Sequence, residues 1–402
     1  MAADDTSSTE MDWSNLLDDL LGMIRARVAS PRGRVCFAAV CRSWRAAASQ
    51  HMVTPALPLL VLSLKAWGKR NDLYCHDEGR VFHVPLPSKL HNTRFCGTYD
   101  GGWIAAITIP STLGIVNLFS SVEVVLSTKQ RDMAWPGRNG RRQLIRRIIF
   151  SEAPTSSACI LAALTTDHDK VALCRVGCPG GGWTIHGCDR EEFCDIVFHH
   201  GELYGLTRRG EKLFKFDIGI NQDGAPVVTA AHPLDVQSCD APIASSYIYF
   251  TTYIFGLHGK LAMAMMTRWF ENHNPFFKVF ELAVTTDDAH DYEWKEVCTL
   301  GDCALFLGQT CSSRVVHVQE GWRDVVEKNH IYYSNYRNTE SKEYQEFNEE
   351  VHLARSGYGD DIYCRKDAIT DGHGHGKELF PSVRYYTTSR TGCPMWCFPP
   401  DF

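Results

Sequence analysis

The chain has 402 residues, 44% of them hydrophobic and 22% charged, with a formal net charge of −6. That length accommodates a small module plus one large domain, and the composition is that of a folded soluble protein. The acidic balance gives no electrostatic reason to expect nucleic acid or an anionic membrane as partner. The apolar run Leu57–Leu64 is far too short to span a bilayer.

Residues 1–10 are polar, without the apolar core of a signal peptide or the arginines of a transit peptide, and read as a disordered leader. A helical module is expected over 11–52. Leu16, Leu17, Leu20, Leu21 and Ile24 fall at i, i+1, i+4, i+5 and i+8, one face of a helix. Asp18 and Asp19 lie in its first turn, where negative charge complements the helix dipole. Ser30-Pro31-Arg32-Gly33 interrupts the pattern. A second helix is expected to carry Phe37, Val40, Cys41 and Trp44, at i, i+3, i+4 and i+7. Short helices with so much apolar surface gain stability only by packing on a neighbour or a partner.

Residues 53–72 read as a linker and a first strand, and from 73 to 402 the helical period is replaced by short apolar runs between Gly, Asn and Asp. Leu73–Val84 reads as strand, turn and strand, reversing at Asp77-Glu78-Gly79. The same grammar returns in Phe193–Leu206, Lys212–Asp217, Tyr253–Met266, Phe276–Val284 and Lys328–Ser334. Repetition at roughly 40 to 60 residues per unit is the signature of radially arranged four-stranded blades. The expected fold is therefore mainly β: N-terminal helices followed by a β-propeller of about six or seven blades, with a pair of β-sandwiches as the alternative. Segments near Trp135–Arg142, Asn272–Pro275 and Asn338–Glu350 read as loops at the blade ends.

Sixteen irregularly spaced cysteines, many inside apolar runs, indicate reduced, buried thiols and not a disulfide framework. Cys174, Cys178, Cys188 and Cys194 cluster, but the second pair is too widely spaced for a usual structural zinc site. Cys178–Trp183 is Gly-rich without the Lys of a phosphate loop and reads as a strand-connecting turn. Asp371–Lys377 brings His373 and His375 together without a third ligand, which favours adventitious metal binding. His199-His200 reads as a structural hairpin bend. Arg138, Arg141, Arg142, Arg146 and Arg147 read as a solvated loop entering a strand, with contact to an acidic partner as the alternative. The sequence has no Gly-x-Ser-x-Gly, Gly-Lys-Ser/Thr or His-Glu-x-x-His motif, so no cofactor, metal or catalytic residue is assigned.

The N-terminal residues resemble an F-box, whose pattern is a Leu-Pro pair, two apolar residues on the next turn and then Val-Cys-x-x-Trp. Leu16, Leu20, Leu21, Ile24, Val40, Cys41 and Trp44 match it; Leu17 stands where the family usually has Pro. Ile145–Pro154, Trp183-Thr184, Phe198–Tyr204, Leu300–Gly308, a hairpin at His330-Ile-Tyr-Tyr and Pro394–Pro400 resemble plant F-box proteins with a C-terminal β-propeller of the KIB type. That resemblance implies a substrate-recognition subunit of a Skp–cullin–F-box ubiquitin ligase, in the cytoplasm or nucleus. Leu16, Leu17, Leu20, Leu21, Ile24, Val40, Cys41 and Trp44 would bind a Skp-type adaptor, which leads on to a cullin–RING core. The propeller would hold an unidentified client protein, and no residue of the chain need do chemistry. Large apolar anchors dominate such interfaces, which puts the weight on Trp44 and the Leu20, Leu21 and Ile24 face; alternatively Trp44 belongs to the module's own core. A non-catalytic interaction propeller with a degenerate F-box, and a propeller hydrolase, are the competing readings.

Overall fold

The computed structural model describes residues 13–28, 31–50, 56–62, 70–76, 78–85, 93–108, 111–133, 145–165, 170–178, 180–186, 191–207, 212–237, 247–269, 275–285, 290–319, 322, 325–334, 350–355, 361–367, 380–387 and 394–400. Among these residues a 3-10 turn (Trp13–Asn15) and helices α1 (Asp18–Arg27), α2 (Pro31–Ala39) and α3 (Arg42–Gln50) precede six β-sheets. α1 has ended by Val28, and Pro31 opens α2, the position where its fixed φ and missing N–H cost nothing. The expectation that Phe37 and Trp44 share one helix is corrected. α2 ends at Ala39, the Val40 N–H closes back on the Phe37 carbonyl at 3.3 Å, and Trp44 belongs to α3. The apolar spacing continues through the bend because both helices pack the same small core.

The first blade contains β1 (Leu59–Val61), β2 (Arg70–Cys75) and β3 (Arg80–Pro85). The second contains β4 (Thr93–Tyr99), β5 (Trp103–Thr108) and β6 (Thr112–Asn117), followed by a one-turn helix α4 (Thr128–Arg131) with a Ser127–Gln130 capping box. The third contains β7 (Ile145–Phe150), β8 (Ile160–Thr165), β9 (Val171–Arg175) and β10 (Thr184–His186). The fourth contains β11 (Phe193–His199), β12 (Glu202–Thr207), β13 (Leu213–Ile220) and β14 (Pro226–Pro233). In the fifth, β15 (Val236–Gln237) lies parallel on the edge of a meander of β16 (Tyr247–Leu257), β17 (Lys260–Trp269), β18 (Pro275–Val284) and β19 (Tyr292–Val297). The sixth comprises β20 (Cys303–Gly308), β21 (Arg314–His317), β22 (Ile331–Ser334), β23 (Glu350–Arg355), β24 (Asp361–Asp367) and β25 (Ser382–Thr387). β26 (Met395–Cys397) completes the first blade by pairing antiparallel with β1, Leu60 opposite Trp396.

The ring is closed. β26 touches β4, β4 touches β7, β7 touches β11, β11 touches β16, β16 touches β21, and β20 returns to β26. Hairpin turns follow the expected grammar. His200-Gly201 and His258-Gly259 both place two successive residues at positive φ, which the tight turn between twisted strands requires. One expected hairpin is absent: β22, at the His330-Ile-Tyr-Tyr segment, pairs parallel with β20 on one side and β25 on the other.

Packing explains why several strands read as unbroken apolar runs. Leu161 and Ala163 of β8 face a core shared with the second blade, whereas Ala162 and Leu164 face one shared with the fourth. On β17, Ala262, Ala264 and Met266 look toward the sixth sheet, and Leu261, Met263 and Met265 toward the fourth blade. A strand sandwiched between two neighbours keeps its period of two but needs apolar side chains at both phases. No disulfide joins the described cysteines; Cys96, Cys159 and Cys174 are fully buried in these cores.

Candidate interaction sites

In the helical module, Leu17 is the N-cap of α1 at φ −63° and ψ 143°, makes no side-chain cap, and accepts the Leu21 N–H at 3.0 Å through its carbonyl. Leu21 is fully buried with Phe37, Ala38, Ala47 and Ala48, and Leu16, Ile24 and Trp44 pack half-buried around that core. The Trp44 ring lies 4.7 Å from Phe37, and its indole N–H donates to the Trp13 carbonyl at 2.9 Å. Cys41 is half-buried, with its sulfur 3.0 Å from the Ser43 hydroxyl. Of the residues singled out in the sequence, Leu17 (72% exposed), Leu20 (40%) and Val40 (55%) face solvent. Trp13 and Met23 are exposed too; periodicity does not pick them out, because one precedes the helix and the other sits off its apolar stripe. The Arg25 guanidinium is fully buried and has no hydrogen-bond partner at any nitrogen among the described residues; burial, and then the neighbouring Arg34 charge, lower its pKa.

At the centre of the ring the inner strands are stapled by arginines. Arg94, second in β4, donates to the carbonyl of Ile145, first in β7; Arg146, second in β7, donates to the carbonyls of Phe193 and Cys194 at the start of β11. β-bulges occur in the same three strands, skipping Cys96, Arg146 and Cys194 in the ladders, and a bulge re-aims the side chains beside it. The next residues in β7 and β11, Arg147 and Asp195, form a buried ion pair. Asp195 also accepts the N–H groups of Ile196 (2.8 Å) and Ile254 (3.0 Å), and Arg147 donates to the Gly308 carbonyl at 2.5 Å. Burial opposes the Arg147 charge, but Asp195 outweighs it, so the guanidinium pKa stands above its ordinary value. This corrects the reading of Arg146 and Arg147 as part of a solvated loop. The available signal was Asp195, a lone carboxylate inside the apolar run Phe193–Val197.

Beyond that pair, at the C-terminal ends of β4, β7 and β11, a cavity of about 280 Å³ opens among Tyr99, Phe150, Phe198, His199, Ser313 and Arg314. Arg314 is ion-paired with Asp100. The His200 ring nitrogen Nε2 meets the Gly259 carbonyl at 3.0 Å, tying the hairpin turns of the fourth and fifth blades together. Burial, then the adjacent His200, push the His199 imidazole pKa down.

The remaining sequence candidates separate. Cys174 is buried in β9, the Cys178 thiol donates to the Asp223 carbonyl at 3.4 Å, and the Cys194 thiol donates to the Thr207 carbonyl at 3.2 Å. Residues 178 and 180–183 connect β9 to β10, with Gly181 N–H bonded to the Cys178 carbonyl at 3.1 Å. Cys188, Arg138, Arg141, Arg142, the 371–377 segment and the leader lie outside the described residues, as do most of the expected end loops. Among the described residues no three His, Cys, Asp or Glu side chains gather as a metal site.

A closed ring of sheets whose inner strands surround a cross-linked centre is a β-propeller, here preceded by a three-helix module. The KIB1-4 beta-propeller family profile matches residues 73–355, more than half of the chain, and the chain belongs to that family. It is 23% identical over 349 residues to "Putative F-box protein At3g25750" of Arabidopsis thaliana, covering 81% of this chain and 88% of the relative. It is 22% identical over 325 residues to "F-box protein At2g26160" of the same plant, covering 76% and 91%. Among solved structures, the β-propeller domain of Cps50 (Swd1) from Myceliophteria thermophila aligns at 11% identity and a TM-score of 0.30, covering 56% of this chain and 66% of that one. A likeness at that score adds nothing to the fold already described.

Proposed function

We propose that the protein is the substrate-receiving subunit of a Skp–cullin–F-box ubiquitin ligase. In this reading α1–α3 form the F-box that docks a Skp-type adaptor, and the propeller holds a client protein near the ubiquitin-charged enzyme. Its contribution is effective concentration, with no catalytic residue of its own. The observation that carries the reading is the exposed apolar set Leu17, Leu20, Met23 and Val40, displayed by helices whose interior is already filled by Leu21, Phe37 and Ala47. Such a display is costly in a solitary chain and useful at an interface. The names of the curated Arabidopsis relatives agree with it. The ligase assignment puts the protein's work in the cytoplasm or nucleus.

The test is a pull-down of the full chain with a purified plant Skp-type adaptor, beside a Leu20→Asp/Val40→Asp variant. Saturable binding lost in the variant supports the reading. Absence of binding by the folded wild type overturns it in favour of an interaction propeller without a docking F-box, the reading that Leu17 in place of the family's Pro favours.

A further inference from the structure

The outer face of α1 complements itself when reversed. The helical period of 3.6 residues puts Asp19, Leu20, Met23, Ala26 and Arg27 on one side of α1, and all five are exposed. Leu21 and Arg25, both fully buried, mark the opposite side. Met23, 52% exposed, sits at the centre of the outer face. Leu20 stands three residues before it and Ala26 three after; Asp19 stands four before it and Arg27 four after. Laid against an inverted copy of itself, the helix therefore sets a large apolar residue level with a small one and an acid level with a base. Neither Asp19 nor Arg27 has an oppositely charged partner among the described residues; the Arg27 guanidinium donates to the Met23 carbonyl at 3.0 Å.

We infer that in the adaptor-free chain this face is covered by a second copy of the protein, the two α1 helices running antiparallel about a two-fold axis at Met23. Such an isologous contact needs a self-complementary patch, and the charges on α1 supply one. Met23 meets its own counterpart, and an Asp19–Arg27 pair closes each end. A parallel arrangement would set acid against acid and base against base, so the charges fix the direction. A contact this small makes a weak, transient pair. Leu20 and Met23 also belong to the set that docks the adaptor in the ligase reading, so pairing and docking exclude each other. That exclusion rests on the ligase reading; the pairing itself does not.

Sedimentation equilibrium of the full chain, from about 1 to 500 µM, measures the association. The wild type is expected to dimerise as its concentration rises. Met23→Glu and Met23→Lys should each weaken pairing at least about tenfold, by setting like charges together on the axis. Mixed in equal amounts, the two variants should pair again one to one, a result that requires residue 23 to meet itself. Arg27→Asp and Asp19→Arg should behave the same way, weak apart and restored on mixing. A wild type that stays monomeric over the whole range overturns the proposal, as do folded Met23 variants that stay apart when mixed. Should a Met23 variant not fold, failure of the Arg27→Asp and Asp19→Arg mixture to pair overturns it alone. Adding a purified Skp-type adaptor separates the two readings. Conversion of the dimer to a one-to-one adaptor complex supports both. A dimer that binds no adaptor leaves the pairing and removes the ligase; adaptor docking by a chain that never dimerises does the reverse. A dimer that carries adaptor on both copies overturns the exclusion.

Discussion

Arg147 on β7 and Asp195 on β11 form a buried ion pair whose remaining hydrogen bonds reach Ile254 on β16 and Gly308 on β20. One pair of side chains thus joins four consecutive blades at the axis of the ring. Their charges are matched and most of their polar atoms are satisfied, which is the condition under which burying two ions is tolerable.

Arg147→Ala is therefore expected to destabilise the propeller by about 3–5 kcal/mol, since it leaves the Asp195 carboxylate buried and uncompensated. Arg147→Met/Asp195→Leu should recover only part of the loss. It removes both charges but strips the Ile254 N–H and the Gly308 carbonyl of their partners. Urea unfolding of the three proteins measures this, and a double variant less stable than Arg147→Ala would contradict the account.

The helical module carries the opposite case. Arg25 is buried without any hydrogen bond among the described residues, near the like charge of Arg34. Arg25→Met keeps the aliphatic stem and removes the unpaired ion, so the free chain should become more stable by about 1–3 kcal/mol. A thermal midpoint lowered by this substitution would show that the guanidinium is serving the fold.

His76 lies between Tyr74 (5.0 Å), Tyr385 (5.1 Å) and Trp396 (6.1 Å), and burial lowers its pKa from 6.5 to about 4. In the unfolded chain the imidazole takes up its proton near pH 6.5; in the folded chain it does so only near pH 4. Stability is thus lost as the pH falls through that window, by about 3 kcal/mol from this group, with no further loss from it below. Comparing unfolding free energies of wild type and His76→Phe at pH 7 and pH 4 isolates the increment. Equal pH dependence in the two proteins would refute it.

What was legible in the sequence follows from locality. The His-Gly reversals at 200–201 and 258–259 and the strands beside them announce themselves within a dozen residues, as does the core face of α1 at Leu21 and Ile24; Leu16 and Leu17 do not lie on that helix face as expected, because α1 opens at Asp18 with Leu17 as its extended N-cap. β22 is not legible locally: Asn329-His330 before an apolar tetrad has the look of a hairpin strand, while its partners β20 and β25 lie outside that segment. In sequence Arg146 and Arg147 continue the basic run of Arg141 and Arg142, yet the bulge at Arg146 and the carboxylate of Asp195 decide their surroundings. The cavity at the ends of β4, β7 and β11 could not be read at all, because its lining is drawn from six separate parts of the chain.

Leu17 is the residue at which the helical module departs from the F-box pattern. Its φ of −63° is the value proline imposes, and its N–H makes no hydrogen bond among the described residues. Leu17→Pro should therefore be accepted and should raise stability by about 0.4–1 kcal/mol through the unfolded chain. A lowered thermal midpoint would mean that the α1 entry is shaped by the Leu17 side chain itself.

Leu20 and Leu21 are adjacent and do different things. Leu21 is wholly enclosed by Phe37, Ala38, Ala47 and Ala48, so Leu21→Ala should cost about 2–5 kcal/mol, the range for an emptied core position. Leu20 stands 40% exposed on the helix surface, so Leu20→Asp should shift stability by no more than about 0.5 kcal/mol. In an adaptor pull-down the order reverses: Leu20→Asp should lose binding at wild-type stability, and Leu21→Ala should lose it only in proportion to its unfolded fraction. Unfolding curves and pull-downs on the same samples decide this. Full adaptor binding by Leu20→Asp would move the docking surface away from α1, whereas a Leu21→Ala variant as stable as wild type would mean that the helices are not packed as described.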